Sequence, residues 1–376
     1  MSEPRYHDTR KDSFYGDFLY DRIVPRGHFL RQADAVVPWD EYGAQLLHYY
    51  KGGAEYGRPP WNPVLMLKVL FLAHLYGLSR RETEVYLNEN MPAKWFVGIA
   101  ADEGGPDYST IADFQSRLSQ NGKVAAFEKL LDQVIALAKA KGVVFGSIQI
   151  IDSVHVVANV NTAKDDASQK KGELPRDPNA RWGVKHSHKV LDENGQEKRI
   201  PEYFFGYKQH VSMNAASRLI TSVAHTAGNE YDGHQLPGLV EHDLALGIPV
   251  QIVTADRGLD DGDNHCFLKA KKLHSAIRLN KVRFEKNDPN KAPWIKLRQT
   301  PEYREGLQVR SWIEPKFGEA KEQHRFRRCH GVGLPAFKVQ GLMTAITMNI
   351  KRIVLLVTGT PFSPGITAPL TPWRAG

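Results

Sequence analysis

Apolar positions recur at helical spacing up to about Ala140, and from Ile148 onward they gather into short β-branched runs, so a helical region is predicted ahead of a mixed α/β one. Residues 1–37 are polar and aromatic with short apolar spurts such as FLYDRIV, and read as an N-terminal arm or a small docking segment. From Pro38, the positions Tyr42, Leu46, Leu47 and Tyr50 share a helical face until GGAEYGRPPWNP breaks the pattern. Pro63 then fits the first turn of a helix through LMLKVLFLAHLYGL, whose nearly all-round apolar character predicts burial. Ser79, with Glu82 three residues on, has the form of a capping box opening RRETEVYLNEN. A further helix from about Asp107 turns Ile111, Phe114 and Leu118 inward, and VAAFEKLLDQVIALAKA makes another before Gly142. A turn at Gly77 followed by a helix with Arg80 and Arg81 near its start has the form of a DNA-binding helix-turn-helix. The competing reading of this region, residues 38–141, is a bundle that touches no DNA.

The second region, residues 142–357, opens with IQIIDSVHVVANVN, a predicted buried strand carrying one carboxylate, Asp152. A lone charge in such a strand is costly. Asp152 therefore either gains a partner or ends a short strand and caps the next turn. Residues 162–201 are polar, basic and without apolar periodicity, and read as a long loop or flap with Lys185 as a candidate DNA contact. Within it Trp182 would anchor the flap or stack on a base, whereas His186 and His188 read as a solvated strand edge with no third ligand nearby. YFFGYKQHVSMNAAS and RLITSVAHTAGN predict an antiparallel pair beside the first strand. A helix ended by Gly247, a buried strand PVQIVTADRG ending on Asp256, a helix CFLKAKKL and a fifth strand HSAIRLN follow. Residues 281–307 read as a basic, proline-containing insertion, two helices close the domain, and residues 358–376 read as a flexible tail. Three strands, then helix, strand, helix, strand and helix, is the order of a ribonuclease-H-like fold, a mixed sheet flanked by helices.

Composition narrows the setting. A chain of 376 residues exceeds one small core, and 41% hydrophobic with 24% charged residues is globular composition. No apolar run approaches the roughly 18 residues of a membrane span, and MSEPRYHDTRKD lacks the apolar core of a signal peptide, so a cytoplasmic protein with no membrane partner is expected. Cys266 and Cys329 are too few for a disulfide framework or a four-cysteine zinc site. The net charge of +8 favours a polyanionic partner, and Arg325, Arg327 and Arg328 in HRFRRCH form a candidate phosphate-contacting face. The alternative for that stretch is a solvated helix surface with Phe326 packed inward.

In open sheets ligands gather beside the central strand ends, so Asp152 and Asp256 would lie side by side if their strands are neighbours. The closing helix offers Glu314, Glu319 and Glu322 as a third carboxylate. Periodicity favours Glu314, because Lys321 follows seven residues on, two turns away on the same face, where it could hold a phosphate. Pro315 disfavours helical conformation at Glu314, which leaves Arg310 in the preceding turn. Three hard oxygen ligands suit two magnesium ions, with Mn2+ a natural substitute, in a phosphoryl transfer that activates water or a 3′-hydroxyl.

IDSVHV around Asp152, FGYKQHV at Phe205–Val211, GNEYD at Gly228–Asp232, TADRG around Asp256 and IEPKFGEAK at Ile313–Lys321 occur in order across the second region. In these motifs the chain resembles bacterial insertion-sequence transposases of the DDE class, in the superfamily that holds the insertion-sequence-four and insertion-sequence-five groups. The segment Arg58 to Leu118 also resembles the helical domain that accompanies this catalytic domain. The resemblance implies Asp152, Asp256 and Glu314 as catalytic carboxylates and metal ligands. Arg310, Glu314 and Lys321 fit the family's tyrosine, arginine, glutamate and lysine signature, whose tyrosine position falls on Leu307; a second common tyrosine position is Leu259. It further implies an endonuclease and strand-transfer activity on double-stranded DNA, with terminal inverted repeats and target DNA as partners and a dimer or larger assembly on DNA. A structure-specific nuclease of the same fold and a transposase-derived DNA-binding regulator are the alternatives.

Overall fold

The computed structural model describes residues 6–7, 9, 14–46, 59–119, 124–191, 197–283 and 292–363. They fall into two units, Met1–Tyr108 with Ile350–Gly376, and Ser109–Asn349.

The first unit is helical, with α1 (Phe14–Ile23), α2 (Phe29–Val36), α3 (Trp39–Ala44), α4 (Pro63–Leu75), α5 (Arg80–Glu89) and α6 (Met91–Val97). Residues 14–23 and 29–36 are helices built into this unit, a docked segment rather than a separate arm. Phe29, Leu30 and Ala33 are buried, and the Tyr20 hydroxyl donates to the Ile99 carbonyl at 2.6 Å. Arg31, which made this stretch look polar, donates to the Val24 carbonyl at 2.9 Å and lies over the Trp95 ring at 4.5 Å. Helix α4 starts with Pro63 after Asn62, whose side chain accepts from the Val64 amide at 2.8 Å, and nearly all of it is buried. The capping box is present: Ser79 N–H donates to Glu82 Oε2 at 2.6 Å, and Glu82 N–H to Ser79 Oγ at 3.3 Å. The chain turns by 106° between α4 and α5, an angle within the range of helix-turn-helix pairs. Helix α3 ends at Ala44, and Leu47 and Tyr50 lie outside the described residues.

The second unit contains most of α7 (Tyr108–Ser119), α8 (Ala125–Ala140), β1 (Ile148–Val157), α9 (Thr162–Gln169), β2 (Arg181–Leu191), β3 (Glu197–Asn214) and β4 (Ile220–Ala227). It continues with α10 (Leu236–Ala245), β5 (Ile252–Ala255), α11 (Gly262–Ala270), β6 (His274–Ile277), α12 (Ala292–Gln299), α13 (Pro301–Val309), α14 (Glu314–Gln323) and the start of α15 (Leu334–Thr358). Ile111, Phe114 and Leu118 of α7 are buried as their spacing predicts. The strands form one mixed sheet in the order β2-β3-β1-β5-β6, with β4 paired to β3. Strand β1 runs antiparallel to β3 and parallel to β5, and β5 is parallel to β6. Between β3 and β4 the turn places Arg218 at φ 62°, a left-handed conformation.

Two stretches differ from their sequence expectation. Residues 162–201 are not a loop. They hold α9, capped by Asn161 on the Lys164 amide at 3.2 Å, and β2, an edge strand on the first half of the long β3. An edge strand is held by its backbone pairing and needs no apolar alternation, so its polar sequence hid it. Buried Asp177 fixes the chain before β2, accepting from Tyr207 Oη at 2.5 Å, the Ala180 amide at 3.2 Å and the Gly333 amide at 3.1 Å. Residues 281–307 likewise contain α12 and α13 rather than a simple insertion. A Cβ on Gly306 of α13 would lie 2.4 Å from Ala276 Cβ, so the helix backbone sits directly on β5 and β6.

Among the described residues, α15 is long and apolar enough to cross a membrane, which the uninterrupted apolar runs of the sequence did not indicate. Most of its apolar stretch is buried within the protein, where Gln340 binds the His330 amide at 2.8 Å and Asn349 the Ile220 carbonyl at 2.8 Å. Beyond it Phe362 packs against Phe29 and Tyr76, with ring centroids 5.1 and 5.3 Å apart. The rest of the predicted tail, residues 364–376, lies outside the described residues.

Candidate active site

Strand β1 does not end at Asp152 but continues to Val157, so Asp152 is a mid-strand carboxylate rather than a cap. The parallel register pairs Ile151 with Ala255, which makes Asp152 and Asp256 the next neighbours on adjacent strands. Asp256 is the first residue past β5 and leads into a short 3-10 turn, Arg257–Leu259. Oδ1 of Asp152 accepts from the Ser153 amide at 2.8 Å. Burial pushes the Asp152 carboxyl up to about 6; the Ser153 amide opposes the shift, the negative charge of Asp256 adds to it, Arg310 opposes it and Asp232 adds to it.

Arg310 begins the 3-10 turn Arg310–Ile313 that joins α13 to α14 and so precedes the helix, but Glu314 is itself helical, the first residue of α14 at φ −59° and ψ −45°, against the expectation that Pro315 would keep it out of helical conformation. Its guanidinium reaches both flanking carboxylates, with Nη1 3.9 Å from Asp256 Oδ1 and Nη2 3.4 Å from Glu314 Oε1. Among the described residues no three His, Cys, Asp or Glu side chains converge as a ready metal shell. The register brings Asp152 and Asp256 together, and Glu314 joins them through Arg310 rather than by direct approach. Like charges at this spacing repel, and the guanidinium is the cation that separates Asp256 from Glu314. The donor set nevertheless fits a hard divalent cation. Asp152, Asp256 and Glu314 offer only carboxylate oxygens, and a partly buried carboxyl pressed by two further acids gains from added positive charge.

Asp232 was missed as a site residue by sequence reasoning. It starts a 3-10 turn before α10, accepts from Ser153 Oγ at 2.7 Å and pairs with Lys208 Nζ at 2.8 Å. The sequence carries a signal, since GNEYD ends in Asp232 and FGYKQHV contains Lys208, yet only the folded sheet connects them to Asp152. On the far side, Asp260 anchors the segment after Asp256: it accepts from the Asn280 amide at 2.7 Å and pairs with Arg283 at 2.8 Å and His265 at 3.0 Å. Burial works against its ionisation, but these partners hold the Asp260 carboxyl below the usual range. Trp294 of α12 covers the pair, 4.7 Å from the His265 ring and 4.4 Å from the Arg283 guanidinium.

The candidate DNA-contacting cations divide by neighbourhood. Lys321 on α14 is pulled below the usual lysine range by burial, then by the positive charges of Arg327 and Lys185, so these three belong to one cluster. Lys185 also pairs with Glu202 at 2.8 Å, and Arg327 with Glu322. HRFRRCH is a turn laid on the end of β1, not a helix surface: the Val157 amide donates to the Arg327 carbonyl at 3.1 Å and the Cys329 amide to the Val157 carbonyl at 2.8 Å. Phe326 is buried beneath it, as the sequence suggested. Arg328 donates to the Val160 carbonyl at 3.2 Å, while Arg325 is exposed at φ 55°. In the first unit, burial lowers the Arg80 guanidinium and Arg81 lies over the Tyr108 ring at 4.2 Å. The side chains of His186 and His188 lie outside the described residues.

A mixed sheet with an antiparallel β4-β3-β1 half, a parallel β1-β5-β6 half, flanking helices and carboxylates at neighbouring central strands is a ribonuclease-H-like fold. Residues 145–350 match the transposase DDE domain, and residues 18–117 match a second transposase domain, DUF772. The chain belongs to the DDE transposases, a family of metal-dependent enzymes that cut DNA. No solved structure matches it.

Proposed function

We propose that this transposase binds the terminal inverted repeats of its own element, hydrolyses the strand at each end and joins the freed 3′-hydroxyl to target DNA. The observation that carries the reading is the register that sets Asp152 beside Asp256, with Arg310 linking Asp256 to Glu314. In this reading Asp152, Asp256 and Glu314 hold two Mg2+ ions, for which Mn2+ can substitute. Bound metal supplies a nucleophile at neutral pH and charge stabilisation at the leaving oxygen. Arg310 steadies Asp256 and Glu314 and offers guanidinium N–H groups to a phosphate oxygen. Lys321, seven residues from Glu314 on α14, holds the adjoining phosphate, with Lys185 and Arg327 beside it. Arg80 and Arg81, at the start of α5 after a sharp helical turn, bind the inverted repeat, and Arg325 adds a further phosphate contact. Two ends act together on a dimer or larger assembly, in the cytoplasm where the nucleoid DNA lies.

The test is a Mg2+-dependent cleavage and joining assay on the element's own ends. Wild-type protein should give cut and joined products, and Asp152→Ala neither. Equal activity of the two would refute the site. Cut ends without joined products would identify a nuclease of the same fold instead.

A further inference from the structure

We propose that the outer face of the β2-β3 ribbon is a stacking platform for unpaired bases of the DNA strand that enters the active site. The inference rests on the DNA-processing function above and specifies the form of DNA that the site takes.

Directly opposed residues of an antiparallel pair share a face, and the register opposes Trp182 to Phe205 and Val184 to Tyr203. Trp182, Val184 and Tyr203 on this face are 53%, 55% and 59% exposed, and the Trp182 and Phe205 rings lie 5.5 Å apart. The inner face explains the folding of the ribbon without them. Phe204 is buried there against His155, and a Cβ on Gly183 would lie 2.2 Å from the Gly228 carbonyl oxygen. Folding therefore leaves two aromatic rings and a valine in solvent, a patch of the kind that marks a contact surface.

Charge selects the partner. Lys185 follows Val184 directly, and it and Arg327 lie close enough to Lys321 to depress its basicity. Aromatic faces bordered by cations are the recurrent chemistry of single-strand recognition, because every base has a π-face and every linkage a phosphate. The geometry joins this platform to the carboxylates. Asp152 is opposite Val211 on β3, and Val211 and Phe205, an even number of residues apart, point to the same side of the sheet. Six residues of strand span about 20 Å. Along that path lies α14, whose Phe317 and Ala320 line one small cavity together with Val154 and Val211, and Lys321 is about 10 Å beyond Glu314 on it. A strand running from the carboxylates past Lys321 thus reaches Trp182. In a duplex its bases would be stacked and closed to the rings, so the platform selects bases that have left the helix.

The experiment measures binding of the full chain, without divalent cation, to a blunt duplex and to the same duplex carrying an unpaired extension of about eight nucleotides at either the 3′ or the 5′ end. Wild type should favour one extended duplex. Trp182→Ala should weaken that complex about tenfold while changing the blunt complex by no more than about twofold. Tyr203→Ala should act in the same sense, and Trp182→Phe should restore binding. A 2-aminopurine in the extension should be quenched by wild type and not by Trp182→Ala. Both positions are exposed, and circular dichroism checks that the variants fold. Equal loss on blunt and extended DNA, or no loss on either, overturns the platform. So does a change of oligomeric state in Trp182→Ala with DNA affinity intact, which would assign the face to a contact between copies. Wild type that binds neither DNA overturns the proposed function as well, whereas equal wild-type affinity for both overturns the platform alone.

Discussion

Burial acts in opposite directions on two ionisable side chains of the same sheet. It pushes Asp152 toward its neutral acid form, and it holds His225 on β4 as the neutral imidazole. The His225 imidazole is lowered to about 3 by burial, with the positive charges of Lys338 and His210 adding to the shift. Its ordinary value is about 6.5, so between pH 6.5 and 3 the unfolded chain binds the proton that the folded chain refuses. Stability from this group is complete above the ordinary value and is lost as the pH falls below it. The loss between about pH 7.5 and pH 5 is about 2 kcal/mol. His225→Gln, which cannot take up the proton, should show a correspondingly shallower fall in urea midpoint over that interval, whatever its stability at neutral pH. A second residue-scale expectation concerns Tyr207, whose buried hydroxyl donates to Asp177. Tyr207→Phe keeps the ring but removes the donor, and should cost about 1–3 kcal/mol in chemical denaturation. An unchanged midpoint would mean that another donor replaces the hydroxyl at Asp177.

At the scale of elements, α13 positions the third carboxylate. It lies on β5 and β6 through Gly306, and the next turn delivers Arg310 and then Glu314. Gly306→Ala would force α13 off the sheet, with an expected loss of about 1–3 kcal/mol in denaturation. Cleavage should fall more than DNA binding, because the displaced residues are Arg310 and Glu314. Equal losses in both would mean the helix serves only the core. The elements legible in the sequence were those whose side chains face a single environment. The apolar α4, the Ser79–Glu82 box, β1, β5 and the hairpin of β3 with β4 all carry their pattern locally, and so did the adjacency of Asp152 and Asp256. Elements held by backbone pairing or by small residues were not legible. Strand β2 is an edge with polar side chains, α13 buries a glycine, and α2 mixes Arg31 and Asp34 with its buried positions. Asp232 stayed hidden for a related reason: its partners Ser153 and Lys208 come from two other strands.

At the scale of the whole molecule, a net charge of +8 describes a tendency toward polyanions but not where phosphates bind. Salt dependence can locate them, because each phosphate neutralised by a lysine or arginine contributes about 0.9 to the slope of log affinity against log salt. Lys185, Lys321 and Arg327 form one cluster, so replacing all three by alanine should make the slope shallower by about three. Arg328 carries the same charge a residue further on, but its guanidinium is turned to the Val160 carbonyl. Arg328→Ala should therefore leave the slope nearly unchanged while lowering stability. Titrating labelled duplex at a series of salt concentrations separates the two cases. A slope that responds to Arg328 and not to the triple replacement would move the phosphate path off α14 and onto the turn after it. The triple replacement also tests whether charge and stacking are independent. If the cluster only holds phosphates, affinity for blunt and extended DNA should fall by the same factor, leaving the preference set by Trp182 in place.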